Sequence, residues 1–288
     1  QSDYVMVLGG DHIYTMDYSK MLIHHVEHKA DFTVGCIEAP LDQASAFGVM
    51  SVDEKLRITG FEEKPPSPVP MPDKPDTALV SMGIYIFSTR ILYEILRTDA
   101  SNLSSSHDFG RDIIPAHIQD CNVYAYPFRD EHDQPAYWRD VGTVDSYWSA
   151  NMELCDVTPE LNLYNRDWPI WTYQTQHPPA KFVFDEDTRR GCAIDSLISA
   201  GCIISGAKVK RSVVFFASTV DSYSVVKNSV ILPKVSIGEH CRITDTIIDK
   251  GCVIPDGMVI GEDLEEDAKK FHITPNGIRL VTPAMLGQ

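Results

Sequence analysis

The chain has 288 residues, 43% of them hydrophobic, with a formal net charge of −16. That length allows one large domain or two ordinary ones, and the acidic balance argues against nucleic acid or an anionic membrane as partner, because phosphate backbones are bound by basic surfaces. No apolar run approaches the roughly 18 residues of a membrane span. The seven cysteines (Cys36, Cys121, Cys155, Cys192, Cys202, Cys241 and Cys252) include no Cys-x-x-Cys pair and read as reduced thiols of a cytoplasmic protein. Small phosphorylated ligands stay compatible with this charge, since a few local cations, amides and a divalent metal suffice to hold them.

The first element is an apolar strand, Val5 to Leu8, that ends in Gly9-Gly10-Asp11-His12. In open α/β sheets the ligand crevice lies beyond the carboxyl ends of the strands, so an Asp delivered there by a glycine turn is a candidate metal ligand. No glycine-rich phosphate loop precedes this strand, so half of a nucleotide site is expected to be missing from the sequence. An amphipathic helix over Tyr18 to His28, a strand over Phe32 to Ile37, and a hairpin of Phe47 to Val52 with Ile58 to Phe61 follow. Pro65 to Pro75 holds six prolines and reads as a loop. Val80 to Phe87 is the next strand, Ile91 to Leu96 a helix, Val123 to Pro127 a strand and Val144 to Leu154 a helix. The alternation predicts an α/β layered sheet up to about residue 157. Residues 158–180, rich in Pro, Trp and Tyr, read as a packed linker.

Beyond residue 180 the pattern changes. Branched apolar doublets, each preceded by Ser or Thr, begin at Leu197, Val213, Val230 and Ile247, at intervals of 16, 17 and 17 residues. A fixed period with short apolar pieces and small corner residues predicts a parallel β-helix over residues 181–288. An antiparallel sandwich is the alternative, but it would show hairpin turns and no steady period.

Several residues are candidates for chemistry. Asp11 and Asp140, the latter in Tyr137-Trp138-Arg139-Asp140-Val141-Gly142-Thr143, each fit either a helix N-cap or a metal carboxylate. In Phe61-Glu62-Glu63-Lys64-Pro65 an acid and a base project together at a strand end, where Lys64 would hold a phosphate and Glu63 sugar hydroxyls; a surface ion pair is the simpler alternative. Ser104 to Asp112 is a polar cluster in which a hydroxyl-binding Asp108 is preferred over a Ser/His/Asp triad, because no nucleophile elbow is present. Ser81 and Tyr85 enter a buried strand and serve either core or site.

The joint order of Gly-Gly-Asp-His, Ser45-Ala46-Phe47-Gly48-Val49, Phe-Glu-Glu-Lys-Pro, Ser-Met-Gly-Ile-Tyr, Ser-Ser-His-Asp-Phe-Gly and Tyr-Trp-Arg-Asp-Val-Gly-Thr, followed by a β-helix, closely resembles the bacterial ADP-glucose pyrophosphorylase (glucose-1-phosphate adenylyltransferase) family over essentially the whole chain. The resemblance implies a partial Rossmann-like nucleotidyltransferase mixed sheet followed by a left-handed parallel β-helix. It implies that Asp11 and Asp140 are catalytic and hold Mg2+, and that Gly48, Glu63, Lys64, Ser81, Tyr85, Asp108 and Trp138 bind glucose 1-phosphate. The implied reaction is attack of the sugar phosphate on the α-phosphate of ATP, giving ADP-glucose and pyrophosphate for glycogen synthesis. A cytoplasmic homotetramer is implied as well.

Three features depart from that family. Its members begin with a Gly-rich, Arg-containing loop that grips the triphosphate, so this sequence alone is expected to bind ATP poorly and to be inactive. The adenine assignment consequently rests on overall resemblance, and a UDP- or dTDP-glucose pyrophosphorylase stays open, as does a non-catalytic regulatory subunit; retention of Asp11, Asp140 and Glu63-Lys64 favours a catalytic lineage. Val281-Thr282 is followed by Pro283 rather than by the arginines of enteric relatives, and Thr244-Asp245 stands where those are basic, which counts against the usual fructose-bisphosphate response. Lys208, Lys210 and Arg211 fit a solvated face better than an anion site. A β-helix acyltransferase would use a histidine such as His240 as base but has no need of the upstream residues.

Overall fold

The structure, a computed structural model, describes residues 2–288. Its contacts divide into two compact units, one ending at Trp138 and one spanning Arg139–Gln288. Among the described residues no helix is long and apolar enough to cross a membrane.

The first unit is built around a mixed sheet. Its elements are β1 (Tyr4–Leu8), β2 (His12–Tyr14), α1 (Tyr18–Glu27), β3 (Phe32–Pro40), β4 (Gly48–Val52), β5 (Ile58–Glu63), β6 (Thr77–Ser88), α2 (Thr89–Ala100), α3 (Ile114–His117) and β7 (Val123–Pro127). The sheet order is β5-β4-β6-β3-β7, and β1 pairs with β6 as well. Phe32 to Ile37 of β3 are all buried, the run expected of a strand covered on both faces. α1 begins at Asp17, whose carboxylate accepts from Ser19 N at 3.0 Å, and it buries Met21 and His25. His25 is satisfied inside the core, with Nδ1 2.9 Å from Thr33 Oγ1 and Nε2 3.3 Å from Ser88 Oγ.

The 12-residue strand β6 decides where a site can form. β1 pairs along its C-terminal half, from Ile84 to Ser88, and β4 pairs with Leu79 and Val80. On the other edge, β3 pairs Gly35 with Ile84 and then Cys36 with Ser81, so Met82 and Gly83 form a bulge. Ser81, Met82 and Gly83 thus occupy a gap between the segments of β6 used by β1 and β4. Bulges of this kind re-aim side chains and are common beside functional sites.

The second unit is a three-sided parallel β-helix. One ladder runs through Leu197–Ile198, Val213–Val214, Val230–Ile231 and Thr246–Ile248, pairing Leu197 with Val213, Val213 with Val230 and Val230 with Ile247. The 16-, 17- and 17-residue intervals of the sequence are therefore the strand register itself. One member of each doublet points inward: Val214, Ile231 and Ile248 are fully buried beside Val209, Val226 and Ile243. The Ser or Thr before each doublet forms a buried ladder: Ser196 Oγ accepts from Ser212 N, Ser212 Oγ from Ser229 N and Ser229 Oγ from Thr246 N, at 3.1, 3.1 and 3.3 Å. Each hydroxyl so satisfies a corner amide that would otherwise be buried without a partner.

The helix α4 (Val144–Glu153) belongs to this unit. Its Met152, with Cys155, packs on Val213, Val230 and Ile247, and Trp148 Nε1 donates to Asn228 O at 2.9 Å. By its contacts α4 thus groups with the coil that follows it in the chain. Residues 158–180 depart from the expectation of a packed linker: Tyr164, Trp171 and Tyr173 are 80, 89 and 89% exposed. The Pro-rich backbone of this stretch forms no helix or strand whose face could bury these rings.

Candidate active site

The β6 gap gathers five of the expected residues. Gly48 begins β4 and pairs with Glu63, the last residue of β5. A Cβ at Gly48 would fall 2.4 Å from Phe61 Cζ and 2.8 Å from Glu63 Oε2, so only glycine lets the carboxylate lie against this backbone. Glu63 Oε2 also lies 2.6 Å from the position of a Cβ at Gly110, where Asp108 Oδ1 is 3.5 Å away. Asp108 caps the turn Phe109–Ile113 by accepting from Arg111 N at 2.8 Å. Tyr85, buried on β6, stacks on Phe109 with ring centroids 5.5 Å apart, and Ser81 lies buried at the bulge with its Oγ accepting from Gly83 N at 3.2 Å.

The electrostatics of this group follow from crowding. Burial raises the pKa of the Glu63 carboxyl, Lys64 lowers it and the Asp108 carboxylate raises it again. The Tyr85 hydroxyl is raised chiefly by burial, opposed by a hydrogen bond with Ser81 and reinforced by Glu63 and Asp108. A pocket of this kind offers carboxylate acceptors and hydroxyl groups, the chemistry needed to hold a polyol. Lys64 follows at φ +49°, with its amide on Phe47 O at 3.0 Å. Its side chain supplies the point charge that a phosphate takes.

Asp11 sits between β1 and β2, and no helix begins there; α1 has its own cap in Asp17. The helix-cap alternative for Asp11 is thereby removed. Its side chain is 60% exposed, with His12 Nε2 3.4 Å from Oδ1. The His12 ring lies edge-on to Trp138 at 5.2 Å, and Trp138 lies edge-on to Phe47 at 5.3 Å. Within the first unit, this aromatic chain connects Asp11 to the Gly48 end of the pocket.

Asp140 falls in the second unit, at the end of the short strand β8 (Trp138–Asp140). It is no helix cap either. Thr143 caps α4 through a reciprocal box with Ser146, and Asp140 Oδ1 accepts from Gly142 N at 2.7 Å. Its second oxygen is not used by that turn. Exposed carboxylate oxygens of this type suit a hard divalent cation such as Mg2+.

Other candidates resolve differently. His107 Nδ1 lies 2.6 Å from Asp99 Oδ2, and the Ser105 hydroxyl donates to the same carboxylate, so serine and imidazole share an acceptor rather than forming a nucleophile and base. His240 stacks on Tyr223 at 4.8 Å as a corner residue of the β-helix. Arg211 pairs with Asp156 at 2.9 Å, while Lys208 and Lys210 are exposed. Gly110, Phe61, Gly83 and His12 were not singled out from sequence. Gly9, Gly83 and Gly110, which flank the motifs, were the available signal, since each clears space for a specific side chain.

Residues 1–157 match the Nucleotidyl transferase family and residues 178–281 the GlmU-like C-terminal hexapeptide family. Glucose-1-phosphate adenylyltransferase of Thiobacillus denitrificans is 64% identical over 99% of this chain and 65% of its own length. The proteins of the same name from Hydrogenovibrio crunogenus and Methylococcus capsulatus are 62 and 60% identical, each over 99% of this chain and 68% of the relative. The chain thus spans about two thirds of the length of these relatives. With the hexapeptide match, its three-sided coil is the left-handed β-helix of that repeat. On these grounds the chain belongs to the glucose-1-phosphate adenylyltransferase family of nucleotidyl transferases.

Proposed function

We propose that the protein carries out adenylyl transfer from ATP to glucose 1-phosphate, yielding ADP-glucose and pyrophosphate for glycogen synthesis. The observation that carries this reading is the 64% identity, over 99% of the chain, to a relative bearing that name. The clustering of Glu63, Asp108, Tyr85, Ser81 and Gly48 supports it, because a sugar phosphate needs several hydroxyl-directed acceptors in one place. In this reading Glu63 and Asp108 accept from glucose hydroxyls, Lys64 neutralises the sugar phosphate, and Trp138 shields the pocket beside Phe47. Asp11 and Asp140 hold Mg2+, which when bound offsets charge on the nucleotide phosphates.

The nucleophile is the phosphate oxygen of the sugar phosphate. No side chain needs to form a covalent bond, and the protein acts by alignment and by fixed charge. The raised pKa of Glu63 is consistent with a hydrogen-bonding role in a partly dry pocket. The oligomer is a homotetramer and the compartment the cytoplasm, where seven unpaired thiols persist.

The test is pyrophosphate release by the full-length protein from glucose 1-phosphate with ATP, UTP or dTTP in turn. Preference for ATP is expected. Preference for UTP or dTTP would remove the adenylyl assignment, and absence of turnover with every nucleotide would favour a regulatory subunit.

A further inference from the structure

The imidazole of His12 stands in a slot made by two glycines. A Cβ on Gly9 would fall 2.7 Å from its Cε1, and one on Gly83 also 2.7 Å from the same atom. Gly83 reaches this position through the β6 bulge with φ +66°, and Gly9 N donates to Gly83 O at 2.9 Å, tying the two walls together. Trp138 adds a third side at 5.2 Å. The His12 side chain is 12% exposed, against 60% for Asp11. This is considerable construction around a ring that core packing alone does not require.

Its two nitrogens differ. Nδ1 is buried without a partner, whereas Nε2 faces Asp11 Oδ1 at 3.4 Å. A neutral imidazole carries one N–H. Placing it on Nδ1 would bury a donor with nothing to receive it, while placing it on Nε2 points it at a carboxylate. The 3.4 Å separation exceeds a normal hydrogen bond, and the Asp11 side chain, 60% exposed, is the partner less confined by packing.

We infer that His12 is a positioning residue for Asp11: its Nε2–H holds Oδ1 and leaves Oδ2 directed to the divalent cation. This rests on the reading of Asp11 as a metal ligand. Partners that hold a ligating carboxylate in place typically govern affinity by about 10–100-fold.

Mn2+ titration of the full chain, followed by electron paramagnetic resonance, tests it. His12→Ala should weaken Mn2+ about tenfold or more. Glutamine places its amide nitrogen at the reach of Nε2 and asparagine only at that of Nδ1, so His12→Gln should stay within about threefold of the parent while His12→Asn falls to the level of alanine. A 15N spectrum of the imidazole should report the Nε2–H tautomer before any metal is added. Equal losses in the Gln and Asn variants would overturn the inference, since slot filling alone predicts them, as would an unchanged affinity in His12→Ala or an Nδ1–H tautomer. Mn2+ affinity unchanged by Asp11→Ala would instead locate the failure in the metal-ligand reading itself. Thermal melts of each variant separate loss of affinity from loss of fold.

Discussion

The two units of this chain use opposite building rules. In the β-helix the pattern repeats: inward Val and Ile along one ladder, a hydroxyl before each of its doublets, and strand pairing that equals the sequence period. In the sheet unit the residues expected to act sit where regularity is broken, at the β6 bulge, at Gly48 and Gly110 where the Glu63 carboxylate leaves no space for a side chain, and at a left-handed Gly83. Repetition supplies stability that is spread over many equivalent contacts. The pocket depends on a few exceptions, each of which no neighbour can replace.

Variants in the two regions should therefore fail differently. The largest expected effect is on turnover: Asp140→Ala should lower the rate of the full-length enzyme by about 10²–10³-fold, the cost of removing one element of a charge clamp, with an unchanged unfolding midpoint. An unchanged rate would remove Asp140 from the site.

The next largest effect is a pH dependence confined to the sheet unit. Burial pushes the His25 pKa down to about 4 from an ordinary 6.5. Above pH 6.5 the ring is neutral in both folded and unfolded chains; between 6.5 and 4 only the unfolded chain takes the proton, so stability falls as pH falls, then levels off below 4. The total is up to about 3 kcal/mol. Denaturant titrations across that window should show the loss, and His25→Gln should reduce the slope, leaving the share of His24, which burial also lowers. Among the described residues His25 is the one histidine buried as a whole residue, so the β-helix unit should not share the loss.

Smaller effects sharpen the contrast. Ser229→Ala removes the acceptor of Thr246 N and should cost about 2 kcal/mol in thermal unfolding while leaving glucose 1-phosphate binding intact. Gly48→Ala should do the reverse, weakening glucose 1-phosphate about tenfold by calorimetry with a minor change in melting, because the new Cβ collides with Phe61 and Glu63. Equal sensitivity of both readouts to both variants would dissolve the distinction between the units.

The same contrast explains what was legible in the sequence. The β-helix was readable because its order is one-dimensional, and the intervals from Leu197 to Ile247 needed no knowledge of the fold. The strands and helices of the sheet unit were readable from apolar patterning, with ends displaced by a few residues, as for β6 and α2. The bulge was not readable, since the slip between Gly35 and Cys36 is a matter of pairing between β3 and β6, which lie far apart in sequence. Asp11 and Asp140 each fit a helix cap by local sequence, and only the fold assigns that role to Asp17 and Thr143. His12 gave no signal because a single histidine is informative only once Gly9 and Gly83 are seen to frame it. The aromatic stretch of residues 158–180 misled, because Trp171 and Tyr173 suggest burial by composition and are exposed in the chain.

The most direct test of the account is to titrate the isotopically labelled chain with glucose 1-phosphate and follow its amide resonances. Shifts should concentrate at Gly48, Glu63, Lys64, Ser81, Tyr85 and Asp108, with the β-helix ladders unmoved. Saturable shifts confined to the β-helix, or none at the β6 gap at millimolar ligand, would contradict the assignment of the sugar-phosphate site to the irregular half of the sheet.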